Sequence, residues 1–357
     1  MAVPPVGKGR PKEMHVDMVE ARKERWRRIM SPDSPPGFVF IVREPGEAAA
    51  SAAVLPNPGN RAKWLDLIRR TYDYQLRRMR EFDDDLVPHL NMITGTEIFA
   101  EAFGCPVHRP ADNMPFALPA VGNAGEAAKL RVPELSASSV APLFGMADKL
   151  RGEFGPAAVF RLPDLQSPMD VASLIWDKNT LYDAMLEEPE AVKELAGKVK
   201  LFMESFLDEW FRRYGTSCVA HYPDYYMEKC ISFSVDEVGA VSNAMFDRFF
   251  RDELNELSRR YGGLGVHCCA AARHQWGKFR ALEGLRLMNI GLFGTIEGVT
   301  EAFPSVVHFH NWRPDGPVES WAEKLPPKAR VVLEVYPPDR AQAAAMAAGL
   351  RKLQQVA

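Results

Sequence analysis

The feature that most constrains this chain is a rhythm running from residue 37 to the C-terminus, in which strand-sized apolar runs alternate with amphipathic helical stretches. Residues 38–42 (FVFIV) are a continuous apolar run bounded by Gly37 and Pro45, the pattern of a strand buried on both faces and suited to a parallel sheet. Residues 60–84 then place Trp64, Leu65, Ile68, Tyr72 and Leu76 at helical spacing among many arginines, which predicts one apolar and one solvated helix face. The same reading gives strands over 157–162, 218–222, 230–233, 264–269, 285–290, 306–312 and 331–335. Helical patterns fall between them, at 179–214, 243–261, 274–282, 299–303, 318–324 and 341–357, with Pro168 opening another.

Residues 1–36 predict a loose start and a helix over 16–30 that ends in SPDSPPG, a segment expected to pack as a cap. Residues 105–150, richer in Pro, Gly and Ser, read as an excursion from the main fold of the kind that covers a site. Repeated βα units without a dinucleotide-binding glycine fingerprint predict an α/β fold, a single (β/α)8 barrel over 37–357 behind an N-terminal helical extension over 1–36. The signatures G-x-x-x-x-G-K-[ST], G-x-S-x-G and H-E-x-x-H do not occur, which removes the usual marks of P-loop, serine hydrolase and gluzincin chemistry.

Composition narrows the partners. With 44 Lys+Arg against 47 Asp+Glu the formal charge is −3, so no concentrated basic surface is expected and nucleic acid is not the expected partner. Five scattered cysteines, an odd number, argue against a disulfide framework and for a reducing cytoplasm. The N-terminal stretch has no apolar core of an export signal, and the longest apolar runs fall far short of the roughly 20 residues that span a bilayer, so no membrane is expected.

In a barrel of this kind, function sits at the C-terminal ends of the strands. Gly265-Val266-His267-Cys268-Cys269 closes one predicted strand, where alternation sends His267 and Cys269 to the same side. Imidazole and thiolate two residues apart are a zinc-compatible pair, although small, partly buried core residues would read the same way. His308 and His310 share a face, and His310 with Asn311 ends its strand, where the pair can bind metal, orient a carboxylate or move protons; satisfaction by backbone carbonyls is the plain alternative. Glu334, inside the apolar 331–335 run, needs a partner: a metal, an arginine such as Arg161, or a histidine. His221 and Asp236 are further polar residues at predicted strand ends, and Asp224, Tyr225, Tyr226, Trp176 and Asp177 can form an aromatic rim or simply be buried.

With these residues in hand, the chain resembles the uroporphyrinogen decarboxylase-like family, which includes zinc-dependent methyltransferases that work with corrinoid proteins. The stretches that carry the resemblance are Thr94-Gly95-Thr96 through Cys105, Ser167-Pro168-Met169-Asp170 through Leu174, Asp183 with Glu187 to Val192, and Val241 to Phe246 leading into Gly263 to Cys269. The resemblance implies a single (β/α)8 barrel and, in the methyltransferase branch, zinc held by H-x-C and a later cysteine. His267 and Cys269 match the first part; no cysteine follows Cys269, so Glu334 or His310 stands in for the last ligand, and Ala270 replaces the usual glycine. The implied activity is methyl transfer between a small substrate and a corrinoid carried by a partner protein, with zinc as cofactor on His267, Cys269 and Glu334. The rival is a metal-free decarboxylase or lyase in which Asp236 and His310 move protons while His221, Tyr222 and Asn311 hold a small carboxylated substrate, and a third reading is a non-catalytic ligand-binding relative. A porphyrinogen with eight carboxylates would meet a single arginine in Val42-Arg43-Glu44-Pro45-Gly46, which argues against authentic uroporphyrinogen decarboxylation. The assembly stays open, with a homodimer as the candidate.

Overall fold

The computed structural model describes residues 11–31, 33–44, 58–290, 295–312 and 325–356. Among them the chain is a mixed α/β fold with thirteen helices and, at its centre, a six-stranded sheet whose pairings are all parallel. That sheet runs β1 (Gly37–Val42), β12 (Arg330–Val335), β11 (Val307–Trp312), β10 (Leu285–Asn289), β9 (Leu264–His267) and β8 (Ile231–Ser234). A second sheet holds β2 (His89–Asn91), β5 (Val159–Arg161), β6 (Ser217–Val219) and β7 (Tyr226–Glu228), and the excursion contains a short hairpin, β3 (Val107–His108) with β4 (Phe116–Ala117).

Most predicted elements are present with shifted ends. The run 218–222 stops at Val219 because the chain turns back, Ala220 N–H donating to Tyr225 O at 2.9 Å, and β7 then pairs antiparallel with β6, a strand the reading above did not contain. The predicted helix 243–261 is two helices, Asn243–Phe249 and Arg251–Tyr261, broken at Phe250, whose ring is buried and stacked on Phe246 at 5.8 Å. Core burial of that ring outweighs helix continuation. The predicted helix 318–324 and the residues Pro45 and Gly46 lie outside the described residues.

The two sheets approach each other at both edges of the larger one through hydrogen bonds that are not a strand ladder. On one side Phe40 N–H donates to Asp85 Oδ2 (2.9 Å), Val42 N–H to Asp84 Oδ2 (3.1 Å) and Asp85 N–H to Phe40 O (2.8 Å), just before β2. Carboxylates here satisfy β1 amides that would otherwise be orphaned at a buried edge. On the other side Ser234 N–H donates to Leu165 O (2.9 Å) and Ser167 N–H to Ser234 O (2.8 Å), just after β5. Asp84 is fully buried and is neutralised by Arg78 (2.7 Å) and Arg22 (3.3 Å), themselves buried. Arg22 and Trp26, whose indole N–H donates to Asp85 O at 2.8 Å, belong to the helix Pro11–Met30, which packs on β1 and β7.

Strand alternation gives the large sheet two faces. Phe38, Phe40, Val42, Val331, Leu333 and Val335 pack with Ala343, Ala347 and Leu350 of the helix Arg340–Val356. The opposite face carries Val39, Ile41, Val332, Phe309 and Leu287 into the main core, and by register also Glu334, Asn289, His267 and Ser234 near the strands' C-terminal ends.

Candidate metal centre

His267 is the last residue of β9, and register places it level with Asn289 of β10 and Ser234 of β8. Its backbone is held from both neighbours: Val235 N–H donates to His267 O, and Cys268 N–H to Asn289 O, each at 2.8 Å. The strand ends there, two residues earlier than its apolar run implies, so alternation does not orient Cys269. A carboxylate does: Asp236, in the turn after β8, accepts Cys269 N–H on Oδ1 at 2.6 Å. The consequence is a cluster in which Asp236, His267 and Cys269 each bring a ligand atom within 4.8 Å of the other two.

The electrostatics are those of a site short of positive charge. Burial, opposed by Asp236 and by the Asn289 hydrogen bond, lowers the His267 imidazole below its ordinary value and keeps the ring neutral. Burial and the Asp236 carboxylate push the Cys269 thiol up to about 11, although the residue reaches solvent. A bound dication reverses that second shift, because thiolate coordination needs the proton to leave. The turn carrying Asp236 is itself clamped: buried Asp170 accepts Asp236 N–H at 2.7 Å and Glu237 N–H at 2.9 Å on one oxygen, while Ser167 Oγ donates to the other. Burial, against those hydrogen bonds, raises the Asp170 carboxyl to about 7. Asp164, raised to about 6 by burial, adds another carboxyl that interacts with Asp236.

Tyr222 links this cluster to a second one. Its ring stands edge-on to His267, centroids 4.7 Å apart, and is 43% exposed, so it forms a wall open to solvent. Burial and then the charges of Glu334 and Asp224 raise its phenol. Beside it runs a chain of ion pairs: Arg43 Nε donates to Glu334 Oε1 at 2.6 Å and Arg43 also binds Asp224, which in turn pairs with Arg161 at 3.1 Å. Burial alone would raise the Asp224 carboxyl, yet Arg161 and Arg43 hold it well below the usual carboxylate range. Tyr336 donates to Glu334.

The sequence-derived residues therefore separate. His267 and Cys269 come together, and the acid that completes their group is Asp236; Glu334 is engaged by Arg43, an arginine partner from β1's end rather than Arg161. His221 lies close to the cluster, its Nε2 2.9 Å from Ser234 Oγ; burial first and the neighbouring His267 next press its imidazole well below its ordinary value. His308 and His310 sit on the helix face of β11, since Phe309 between them packs on Tyr225 at 5.4 Å and His308 Nε2 lies 3.1 Å from Phe303 O. His310, lowered by burial to about 4, is thus not brought to the Asp236 cluster. Asn311 pairs with Glu334 in the ladder, and its side chain lies outside the described residues. Trp176, Tyr225 and Tyr226 are buried rather than forming a rim.

Three contributors escaped the sequence reading. Asn289 was readable only as the end of an apolar strand, yet its carboxamide faces His267 Nδ1 at 2.6 Å. Asp170 carried a usable signal, since Ser167-Pro168-Met169-Asp170 has capping-box spacing and Ser167 Oγ does accept Asp170 N–H at 3.1 Å. Arg43 was visible only as the lone arginine of Val42-Arg43-Glu44-Pro45-Gly46, and nothing local pointed to its carboxylate partners, which are 181 and 291 residues away.

No family model matches this chain, and none of the curated proteins matches it. Among solved structures, the chain is similar to a methyltransferase from Methanosarcina mazei, with a TM-score of 0.63 over 94% of this chain and 98% of that one, at 13% identity. At that identity the likeness is one of fold.

Proposed function

We propose that this chain is a zinc-dependent methyltransferase of the uroporphyrinogen decarboxylase-like family, with zinc held by Asp236, His267 and Cys269. The observation that carries the reading is the convergence of those three side chains within 4.8 Å at the C-terminal ends of the strands. The donor set fits the ion: one oxygen, one nitrogen and one sulfur make three protein ligands, the number that leaves a tetrahedral catalytic zinc one open position. The fold shared with a methyltransferase supports the same direction. The two sheets are read as arcs of one (β/α)8 barrel behind the 1–36 extension, joined at the Asp84–Asp85 and Leu165–Ser167 contacts.

When bound, zinc supplies Lewis acidity, lowering the pKa of a coordinated thiol or polarising a substrate oxygen. The chain's own residues do the rest. Asp170 and the Asp236 turn hold the Cys269 backbone in place, and Tyr222 walls the approach to His267. The Glu334–Arg43–Asp224–Arg161 chain fixes the polar floor next to Tyr222, taking Glu334 into ion pairing instead of ligation. A small substrate and a methyl-carrying corrinoid on a partner protein complete the proposed reaction.

The test is elemental analysis of the purified protein with D236A, H267A and C269A, followed by methyl transfer from free methylcobalamin to a small thiol. About one zinc per chain, lost in each variant together with transfer, is the expected result. A folded wild-type protein that takes up no zinc overturns the reading and leaves the metal-free lyase to be assayed.

A further inference from the structure

We infer that Asn289 is a positioning residue that fixes His267 in the Nδ1-protonated tautomer and so presents Nε2 to the metal; this rests on the reading of His267 as a ligand. The argument is one of donors and acceptors. Asn289 is 2% exposed, and its Nδ2 lies 3.0 Å from the carbonyl oxygen of Phe309. A carbonyl only accepts, so that end of the carboxamide must be the NH2 group. The other end, Oδ1, then faces His267 Nδ1 at 2.6 Å, and an amide oxygen only accepts. The imidazole proton therefore sits on Nδ1, and in a neutral ring Nε2 keeps its lone pair.

The backbone of the same residue reinforces this, because Asn289 O accepts Cys268 N–H at 2.8 Å, inside the segment joining the two proposed ligands. One residue of β10 thus sets both the ring orientation of His267 and the path of the chain toward Cys269. Partners of this kind behind a ligating histidine typically change metal affinity about 10–100-fold when removed.

The test uses the full chain and two readouts. In metal-free protein, 15N shifts of the His267 ring report the tautomer; in parallel, zinc affinity is measured by competition with a chelator for wild type, Asn289→Leu and Asn289→Asp. The expected result is an Nδ1-protonated ring in wild type, a shift toward the Nε2-protonated form in Asn289→Leu with zinc bound about 10–100-fold more weakly, and recovery of both in Asn289→Asp, whose carboxylate still accepts from Nδ1. An Nε2-protonated wild-type ring, or zinc affinity in Asn289→Leu within twofold of wild type, overturns the inference. If Asn289→Leu fails to fold, the wild-type tautomer and the Asn289→Asp affinity decide it. Wild-type protein that shows the Nδ1-protonated ring but takes up no zinc upholds tautomer control by Asn289 and overturns only the metal reading.

Discussion

Replacing Asp84 by asparagine should cost this protein about 3–5 kcal/mol of stability, the range found when one member of a buried ion pair is removed. The size follows from what the carboxylate touches. Both oxygens are buried, receiving Arg78 at 2.7 and 3.3 Å, Arg22 at 3.3 Å and Val42 N–H at 3.1 Å. Asparagine keeps the shape and one acceptor oxygen but removes the charge, leaving two guanidiniums that are each 1% exposed without their counter-ion. It also weakens one of the contacts that join β1 to the segment before β2. Because a domain's total stability is about 5–15 kcal/mol, the loss is a large fraction of it. Urea unfolding at pH 7 measures it; with a slope of about 3 kcal/mol per molar, the midpoint should fall by about 1–2 M. A loss below about 1 kcal/mol in Asp84→Asn refutes the reasoning.

Other predictions concern buried titratable groups. Glu97 is 3% exposed and its carboxyl is raised by burial from 4.5 to about 7. A raised acid contributes stability that is fully present below pH 4.5 and lost as pH rises through 7, so Glu97→Gln should stabilise the fold by about 3 kcal/mol at pH 8. The gain should vanish at pH 4, which thermal melts at the two pH values will check; a pH-independent effect contradicts it. His89, lowered by burial to about 4, works in the opposite direction: its contribution is complete above pH 6.5 and lost as pH falls to 4, so His89→Gln should flatten the acid limb of the stability curve. If Asp236, His267 and Cys269 hold zinc as proposed, Asp170→Ala should weaken its binding about 10–100-fold by freeing the Asp236 turn, as read by chelator competition; unchanged affinity would show that the turn holds itself.

Sequence alone determined the alternation of elements. The runs at 38–42, 264–267 and 331–335 are legible because burial on both faces demands nearly continuous apolar residues, a local property of the chain. It also put His267 and Cys269 together at the end of one strand, although that strand stops at His267 and not at Cys269. Tertiary structure decided which acid joins them. Asp236 lies 31 residues before His267 in the chain and meets it only because β8 and β9 pair in parallel, Ser234 level with His267. Glu334 looked as eligible by residue type, but an arginine on the neighbouring strand's extension engages it. The two histidines of β11 show the remaining limit: period-two alternation puts them on one face, while nothing in the local pattern says which face meets the helices. That choice belongs to the neighbours, here Phe309 packing on Tyr225 across the core.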